Sequence, residues 1–116
     1  MNITANEGEA IENELIYGSV SGRKSNEDGE YLGGALIGIF QTGTTEYTKE
    51  NAIATATSED DGSFSFGEVP YGTWVIREIE SPKGYVLSEE EISVTIGEVD
   101  EVVEIELVNY FIKGNI

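Results

Sequence analysis

The chain has 116 residues, enough for one compact domain with its own core and too few for two independent cores. Its 23 acidic and 6 basic residues give a net charge of −17, which argues against binding to nucleic acid or to anionic membrane surfaces. Cysteine and histidine are absent, which excludes disulfides, zinc–thiolate sites and histidine-based catalysis.

Short β-rich runs alternate with turn clusters along the whole chain. The predicted strands are 16–24, 35–40, 52–57, 63–66, 73–78, 91–96 and 102–110. Only a weak turn over 44–51 suggests a helical period, and no apolar run approaches the roughly 18 residues of a membrane helix. About seven short strands at regular spacing predict an all-β fold, either a sandwich or a partly closed barrel, with no membrane insertion.

Alternation of side chains along each predicted strand assigns a core. The apolar rows are Ala35, Ile37 and Ile39; Phe64 and Phe66; Ile92, Val94 and Ile96; and Val103, Ile105 and Leu107. Glu104 and Glu106 fall on the opposite, solvent-facing side of the last strand.

Three polar residues share these inward rows. Lys24 is in phase with Val20 on the first strand, Glu78 is in phase with Ile76, and Asn109 is the next inward position after the apolar row of the last strand. Burial strongly disfavours a charged group without a partner, so each of the three requires an explanation.

Two interpretations of these residues remain open from the pattern alone. In the first, each lies at a strand end and turns to solvent, or Lys24 and Glu78 form an ion pair while Asn109 satisfies backbone groups. In the second, an amine, an acid and a carboxamide are the components of an amide-forming reaction with loss of ammonia. Burial disfavours the charged forms of both amine and acid, so a neutral amine and a protonated acid could coexist near neutral pH. Glu78 could then shuttle protons and polarise the Asn109 carbonyl.

Four passages resemble a known family. Residues 24–35 are similar to that family's first strand, acidic turn and second strand, and residues 62–73 resemble its "GxFxFxxLPYGxY" core. Residues 74–85, WVIREIESPKGY, look like the motif YxLxExxAPxGY with Glu78 as its acid, and Asn109 matches the acceptor asparagine. The family is that of the Cna B-type, or SpaA-type, prealbumin-like domains of Gram-positive surface adhesins and pilins. The resemblance covers roughly residues 16 to 112.

The chain departs from the family pattern at a few positions. Asn26 stands where the family often has aspartate, and Ser81 replaces the usual alanine before Pro82. Arg23 beside Lys24 leaves a one-residue ambiguity in the register of the amine donor. None of these departures removes a reactive group.

The resemblance implies a fold and a chemistry. The fold is an all-β, prealbumin-like sandwich, Ig-like with Greek-key connections and about seven strands. The chemistry is an intramolecular isopeptide bond from Lys24 to Asn109, with Glu78 as proton shuttle and with no cofactor and no metal. Such a domain turns over once, on itself, and is not an enzyme. The implied role is a monomeric spacer or stalk module of a cell-wall-anchored protein, extracellular on the bacterial cell surface.

An internal similarity bears on domain organisation. Residues 13–20 resemble residues 109–116, which is typical of one unit in a tandem array. On this interpretation residues 1–13 are a polar extension and the end of a preceding module, 14–110 form the domain, and 111–116 are a linker or the start of the next module. The expected partners are therefore neighbouring modules of the same chain.

Two alternatives belong to other functional classes. An adhesive module would bind a host extracellular matrix protein or a glycan, through exposed residues such as Tyr31, Leu36, Phe40 or Tyr47. A calcium site could use Asp28 or Asp60-Asp61-Gly62, but neither has the ligand spacing of a calcium loop, and Asp-Gly is ordinary turn chemistry.

Overall fold

Two β-sheets face each other in the computed structural model of the protein, which describes residues 15–112. The strands are β1 (Tyr17–Asn26), β2 (Leu36–Gln41), β3 (Ala54–Thr57), β4 (Ser63–Pro70), β5 (Gly72–Glu80), β6 (Ile92–Ile96) and β7 (Val102–Asn109). One sheet has the order β4-β1-β7 and the other β3-β2-β5-β6. The predicted all-β sandwich of about seven strands is confirmed. No helix in this part of the chain is long and apolar enough to cross a membrane.

The first and last strands are parallel neighbours. β1 lies at the centre of the three-stranded sheet, antiparallel to β4 on one side and parallel to β7 on the other. The β1–β7 register places Lys24 opposite Leu107 and Asn26 opposite Asn109. Parallel neighbours require a long crossover connection, and here the five intervening strands provide it. Lys24 and Asn109 consequently lie at the same end of the sheet.

The four-stranded sheet is antiparallel throughout. β2 pairs with β3 and β5, and β5 pairs with β6. Ile37 of β2 lies opposite Glu78 of β5, next to a register shift between Leu36 and Ile37. Glu78 is therefore held on a central strand of this sheet and faces the other sheet across the core.

The core lies between the sheets and draws on both. Its buried members are Val20, Ala35, Ile37, Ile39, Phe64, Phe66, Val69, Ile76, Val94, Ile96 and Leu107. The inward rows predicted from alternation are confirmed, although Ile92, Val103 and Ile105 are only partly buried at the edges. Gly22 lies directly beneath the ring of Phe64, where a Cβ atom would overlap it.

The outer face of the four-stranded sheet is partly covered, contrary to prediction. The prediction that Phe40 is exposed is wrong: its side chain is buried, with the ring in edge-on contact with Tyr47 at 4.9 Å between centroids. The Arg77 guanidinium lies over the Tyr47 ring, 4.4 Å from its centroid. Alternation identifies the two faces of a strand, but it does not show that a loop folds back over the outer one.

The covering segment is irregular. Residues 44–51 contain a hydrogen-bonded turn, from the Asn51 N–H to the Thr48 carbonyl, and no helix. The weak helical period in the sequence is therefore overridden by tertiary packing. The interpretation of residues 1–13 as an extension, and of the chain after Ile112 as the start of a further module, lies outside the described residues.

Candidate functional site

The three inward polar residues meet in the core. β1 carries Lys24 and β7 carries Asn109, both with no exposed surface, while β5 contributes Glu78, which is 2% exposed. Two of the residues come from one sheet and the third from the facing sheet. The interpretation in which these side chains turn to solvent at strand ends is therefore wrong for all three. The other form of that interpretation, a Lys24–Glu78 ion pair with Asn109 bonded to a backbone group, agrees with the contacts.

Glu78 bridges the other two residues with its two carboxyl oxygens. Lys24 Nζ lies 2.8 Å from Glu78 Oε1. Asn109 Nδ2 donates a hydrogen bond to Glu78 Oε2, also at 2.8 Å. A single carboxyl group is thus in direct contact with both the amine and the carboxamide, which is the placement that a proton shuttle between them requires.

Two backbone groups between β5 and β6 complete the site. The Ser88 N–H donates to Glu78 Oε2 at 2.9 Å, and the Val86 carbonyl accepts from Asn109 Nδ2 at 2.9 Å. Sequence reasoning missed both, because every residue carries these backbone groups and no residue type signals them.

Three buried atoms of the site have spare hydrogen-bonding capacity. The contact between Lys24 Nζ and Glu78 Oε1 is close but not aligned as a hydrogen bond, and neither atom has another hydrogen-bond partner among the described residues. Asn109 Oδ1 likewise has none there. Buried unsatisfied polar atoms are costly and call for an explanation, such as a strained or reactive site.

The Asn109 carboxamide is not oriented as expected for polarisation of its carbonyl by Glu78. Its nitrogen, rather than Oδ1, contacts Glu78, because Glu78 Oε2 and the Val86 carbonyl both act as acceptors and only an N–H group can satisfy them. Polarisation of the Asn109 carbonyl by a protonated Glu78 would require the amide plane to turn.

Burial lowers the pKa of Lys24 below its ordinary value of 10.5. Its contact with Glu78 and the charge of Glu90 oppose this shift by favouring the ammonium form, but desolvation is the larger effect. A neutral, nucleophilic amine is therefore populated at lower pH here than on an exposed lysine.

Asn26 closes the end of β1 beside the site. It is 3% exposed, and its Oδ1 accepts hydrogen bonds from the backbone N–H groups of Asp28 and Glu30, both at 2.9 Å. Its Nδ2 donates to Glu30 Oε1 at 2.9 Å and to the Tyr85 hydroxyl at 3.3 Å. Asn26 thus stabilises the acidic turn through its own side chain, as short polar residues commonly do in turns.

The acidic turns considered for calcium are folded by internal hydrogen bonds. Asp61 Oδ1 accepts from the Ser63 N–H at 3.0 Å and from the Ser63 hydroxyl at 2.6 Å, and these bonds lower the pKa of Asp61. Within residues 15–112, no group of three or more acidic side chains is placed to hold a metal ion.

Comparisons with known proteins give one family and a set of related folds. A family model described as SpaA, a prealbumin-like fold domain, matches residues 18–110. The Bacillus anthracis TIE protein superposes with a TM-score of 0.76 at 21% identity, covering 93% of this chain and 20% of that one. BcpA, the major pilin subunit of Bacillus cereus, has a TM-score of 0.70 at 21% identity, with coverages of 83% and 30%. A streptococcal ancillary pilin has a TM-score of 0.64 at 26% identity, with coverages of 95% and 33%.

The chain therefore spans between a fifth and a third of the length of these solved structures. No curated protein sequence matches it.

Proposed function

This chain belongs to the family of SpaA prealbumin-like fold domains, and we propose that it is a spacer module of a Gram-positive surface protein, closed by an isopeptide bond between Lys24 and Asn109. The observation that carries the proposal is the bridging of both residues by Glu78. Burial of all three side chains and the lowered pKa of Lys24 support the same chemistry.

The proposed reaction begins with a proton transfer. Lys24 Nζ passes a proton to Glu78 Oε1, which leaves a neutral amine beside a protonated acid. The amine then attacks Cγ of Asn109, so that the Nζ–Cγ bond forms and the Cγ–Nδ2 bond breaks. The departing nitrogen takes up both protons released by the amine, the last by way of Glu78, and leaves as ammonium. Glu78 ends as the carboxylate with which it began.

Proximity supplies much of the rate in this scheme. The two reacting side chains are fixed by neighbouring strands and by a shared carboxyl group, so little orientational freedom remains to be lost. Well-oriented intramolecular partners can gain on the order of 7 to 11 kcal/mol of barrier. No external substrate is involved, and the acceptor amide is consumed in the single turnover.

The position of the bond suits a spacer. β1 and β7 are parallel, so the chain enters at one end of the sandwich and leaves at the other. A bond between Lys24 and Asn109 would carry tension directly from the first strand to the last and bypass β2 to β6. By the chain-entropy estimate used for disulfides, a loop of about 85 residues would add roughly 4 to 5 kcal/mol against the unfolded state.

The related structures support a proposal for the location and partners. Two of them are described as pilin subunits, from Bacillus cereus and from a streptococcus. We therefore place the protein outside the cell, on the bacterial surface, with neighbouring modules of a longer chain as its partners. Of the four side chains considered for direct adhesion, only Tyr31 is exposed, which favours the spacer role over the adhesive one.

Intact mass spectrometry tests the bond. The folded wild type should be lighter than its sequence mass by one ammonia, and digestion should yield one branched peptide that joins Lys24 to Asn109. Glu78→Gln keeps the shape of the side chain but cannot shuttle the proton, so its mass should equal the sequence mass. Glu80→Gln, at an exposed position on the same strand, is the matched control and should lose ammonia. A wild type of full sequence mass would contradict the proposal.

A further inference from the structure

The chain that follows Asn109 pairs with the chain that precedes Ser88, outside both sheets. The Val86 N–H donates to the Tyr110 carbonyl at 2.9 Å, and the Ile112 N–H donates to the Gly84 carbonyl at 3.2 Å. Between them, Tyr85 and Phe111 form an antiparallel bridge. We call these two short segments, residues 84–88 and 110–112, the clasp.

Tyr85 is at the centre of the clasp and contacts two strand ends. Its ring stacks on Phe111, with 5.2 Å between centroids and 29° between planes. Its hydroxyl accepts a hydrogen bond from Asn26 Nδ2 at 3.3 Å. Asn26 lies two residues after Lys24, and Phe111 lies two residues after Asn109. One half-buried aromatic side chain therefore connects the chain beyond the amine donor to the chain beyond the acceptor.

The clasp also carries the backbone groups that hold the reacting side chains. The Val86 carbonyl accepts from Asn109 Nδ2, and the Ser88 N–H donates to Glu78 Oε2. Asn109 is the last residue of β7, where a strand ladder holds a side chain least firmly. Orientation of its carboxamide therefore depends on the clasp more than on the sheet.

These contacts also decide which carboxyl oxygen takes up the proton. Glu78 Oε2 already accepts from Ser88 and from Asn109, whereas Oε1 contacts only Lys24 Nζ among the described residues. A proton on Oε2 would conflict with two donors, so Oε1 is the oxygen that remains free to accept it. The Ser88 N–H thereby directs the proton transfer to the oxygen facing the amine.

We propose that Tyr85 is a positioning residue of the cross-linking site: by stacking on Phe111 and bonding to Asn26, it closes the clasp that holds the Asn109 carboxamide against Glu78. This inference rests on the proposed cross-link. Tyr85 touches none of the reacting atoms and acts through Val86 and Phe111. Tyr85 is the last residue of the WVIREIESPKGY segment, and the turn before it positions its ring. In this turn the Tyr85 N–H donates to the Pro82 carbonyl at 3.2 Å and Gly84 has a φ of 91°.

The rate of ammonia loss tests this role. Wild type and variants are made in a short pulse of cell-free synthesis, quenched in acid at intervals, and measured by intact mass. Tyr85→Ala removes the stacking and the hydroxyl, and should slow ammonia loss by about 10- to 100-fold, the range expected when a reacting group is misplaced by about an ångström. Tyr85→Phe keeps the stacking and should stay within a few-fold of wild type. Tyr47→Ala removes an aromatic contact on the outer face of the other sheet and should leave the rate unchanged.

A second measurement separates positioning from folding and from the bond itself. In a Lys24→Met background no cross-link can form, so the Asn109 side-chain amide persists and its hydrogen exchange can be followed by nitrogen-15 NMR. Adding Tyr85→Ala should accelerate that exchange at least about 10-fold, while backbone amides of β2 and β5 remain protected. Melting temperatures in this background give the folded fraction of each variant.

Three results would overturn the role of Tyr85. The first is ammonia loss from Tyr85→Ala at the wild-type rate. The second is a rate of ammonia loss in Tyr85→Ala that falls only in proportion to the folded fraction of that variant. The third is hydrogen exchange of the Asn109 side-chain amide that Tyr85→Ala leaves unchanged. If Tyr85→Ala does not fold, Phe111→Ala removes the same stacking from the other side and is measured in its place. If the wild type never loses ammonia, the cross-link itself fails, and the exchange measurement alone decides whether Tyr85 positions Asn109.

Discussion

Glu78 and Lys24 form a charged pair with no solvent exposure of either side chain. The carboxyl group lies in the core because its position on β5 is in phase with Ile76, and the amine lies there because it is in phase with Val20. Replacing such a pair by apolar residues is often neutral or stabilising, so stability alone gives a weak reason to retain it. The proposed cross-link to the third member, Asn109, would supply a chemical reason.

Lys24 should make stability depend on pH when the bond cannot form. Burial lowers the pKa of Lys24 in the folded state, and we expect the same in Asn109→Ala, whereas the unfolded chain has the ordinary value near 10.5. Between these values the unfolded state binds more protons, so the free energy of unfolding should rise with pH across this window. Below the window, where Lys24 is protonated in both states, this contribution to stability is absent.

Urea titrations at a series of pH values measure the effect. The double variant Lys24→Met, Asn109→Ala lacks the amine and serves as the control, since all other titrating groups are retained. The difference in unfolding free energy between the two variants should increase with pH. A difference that is flat or that decreases with pH would contradict the lowered pKa.

At the scale of elements, β1 organises the three-stranded sheet. It pairs with strands on both sides, and its inward positions alternate between glycine and larger residues, with Gly18, Val20, Gly22 and Lys24 all buried. Gly22 is required because the Phe64 ring occupies the space where a side chain would lie. The ring of Phe64 on β4 thus packs directly against the backbone of β1, two residues before Lys24.

Gly22→Ala should therefore be destabilising. The added methyl group would overlap the Phe64 ring, and overpacking of this kind costs about 1 to 3 kcal/mol. Gly67→Ala on β4 is the matched control, because no atom beyond its two chain neighbours lies within 4 Å of the position of its Cβ. Chemical denaturation of both variants in the Lys24→Met background measures the cost without the cross-link. Equal stabilities of the two variants would show that Phe64 moves aside freely.

At the scale of the whole molecule, parallel pairing of the first and last strands decides how the domain would bear load. The chain enters β1 at Tyr17 and leaves β7 at Asn109, at opposite ends of the sheet. The bond would join these two strands near the C-terminal end of β7, where Asn109 lies. Everything between residues 24 and 109 then lies in a closed covalent loop that tension does not open.

Single-molecule pulling from the two termini tests this arrangement. The wild type should show no extension from the loop between Lys24 and Asn109. Glu78→Gln should unfold with an added extension of about 290 Å, from roughly 85 residues at about 3.4 Å each. Glu80→Gln should behave as wild type. Full extension of the wild type would contradict the load-bearing role.

The all-β class, the inward rows and the inward phase of Lys24, Glu78 and Asn109 can be predicted from the sequence, because these depend on a two-residue period that each strand carries locally. The WVIREIESPKGY segment also indicated the family, since its spacing of residue types is equally local. The pairing of strands depends on the three-dimensional fold, which makes β1 and β7 parallel neighbours and brings the amine and the amide to one carboxyl group. The fold also decides that a loop covers Phe40 and that the backbone of Val86 and Ser88 completes the site. Such contacts join residues far apart in the chain through groups common to every residue, so no local pattern of residue types could specify them.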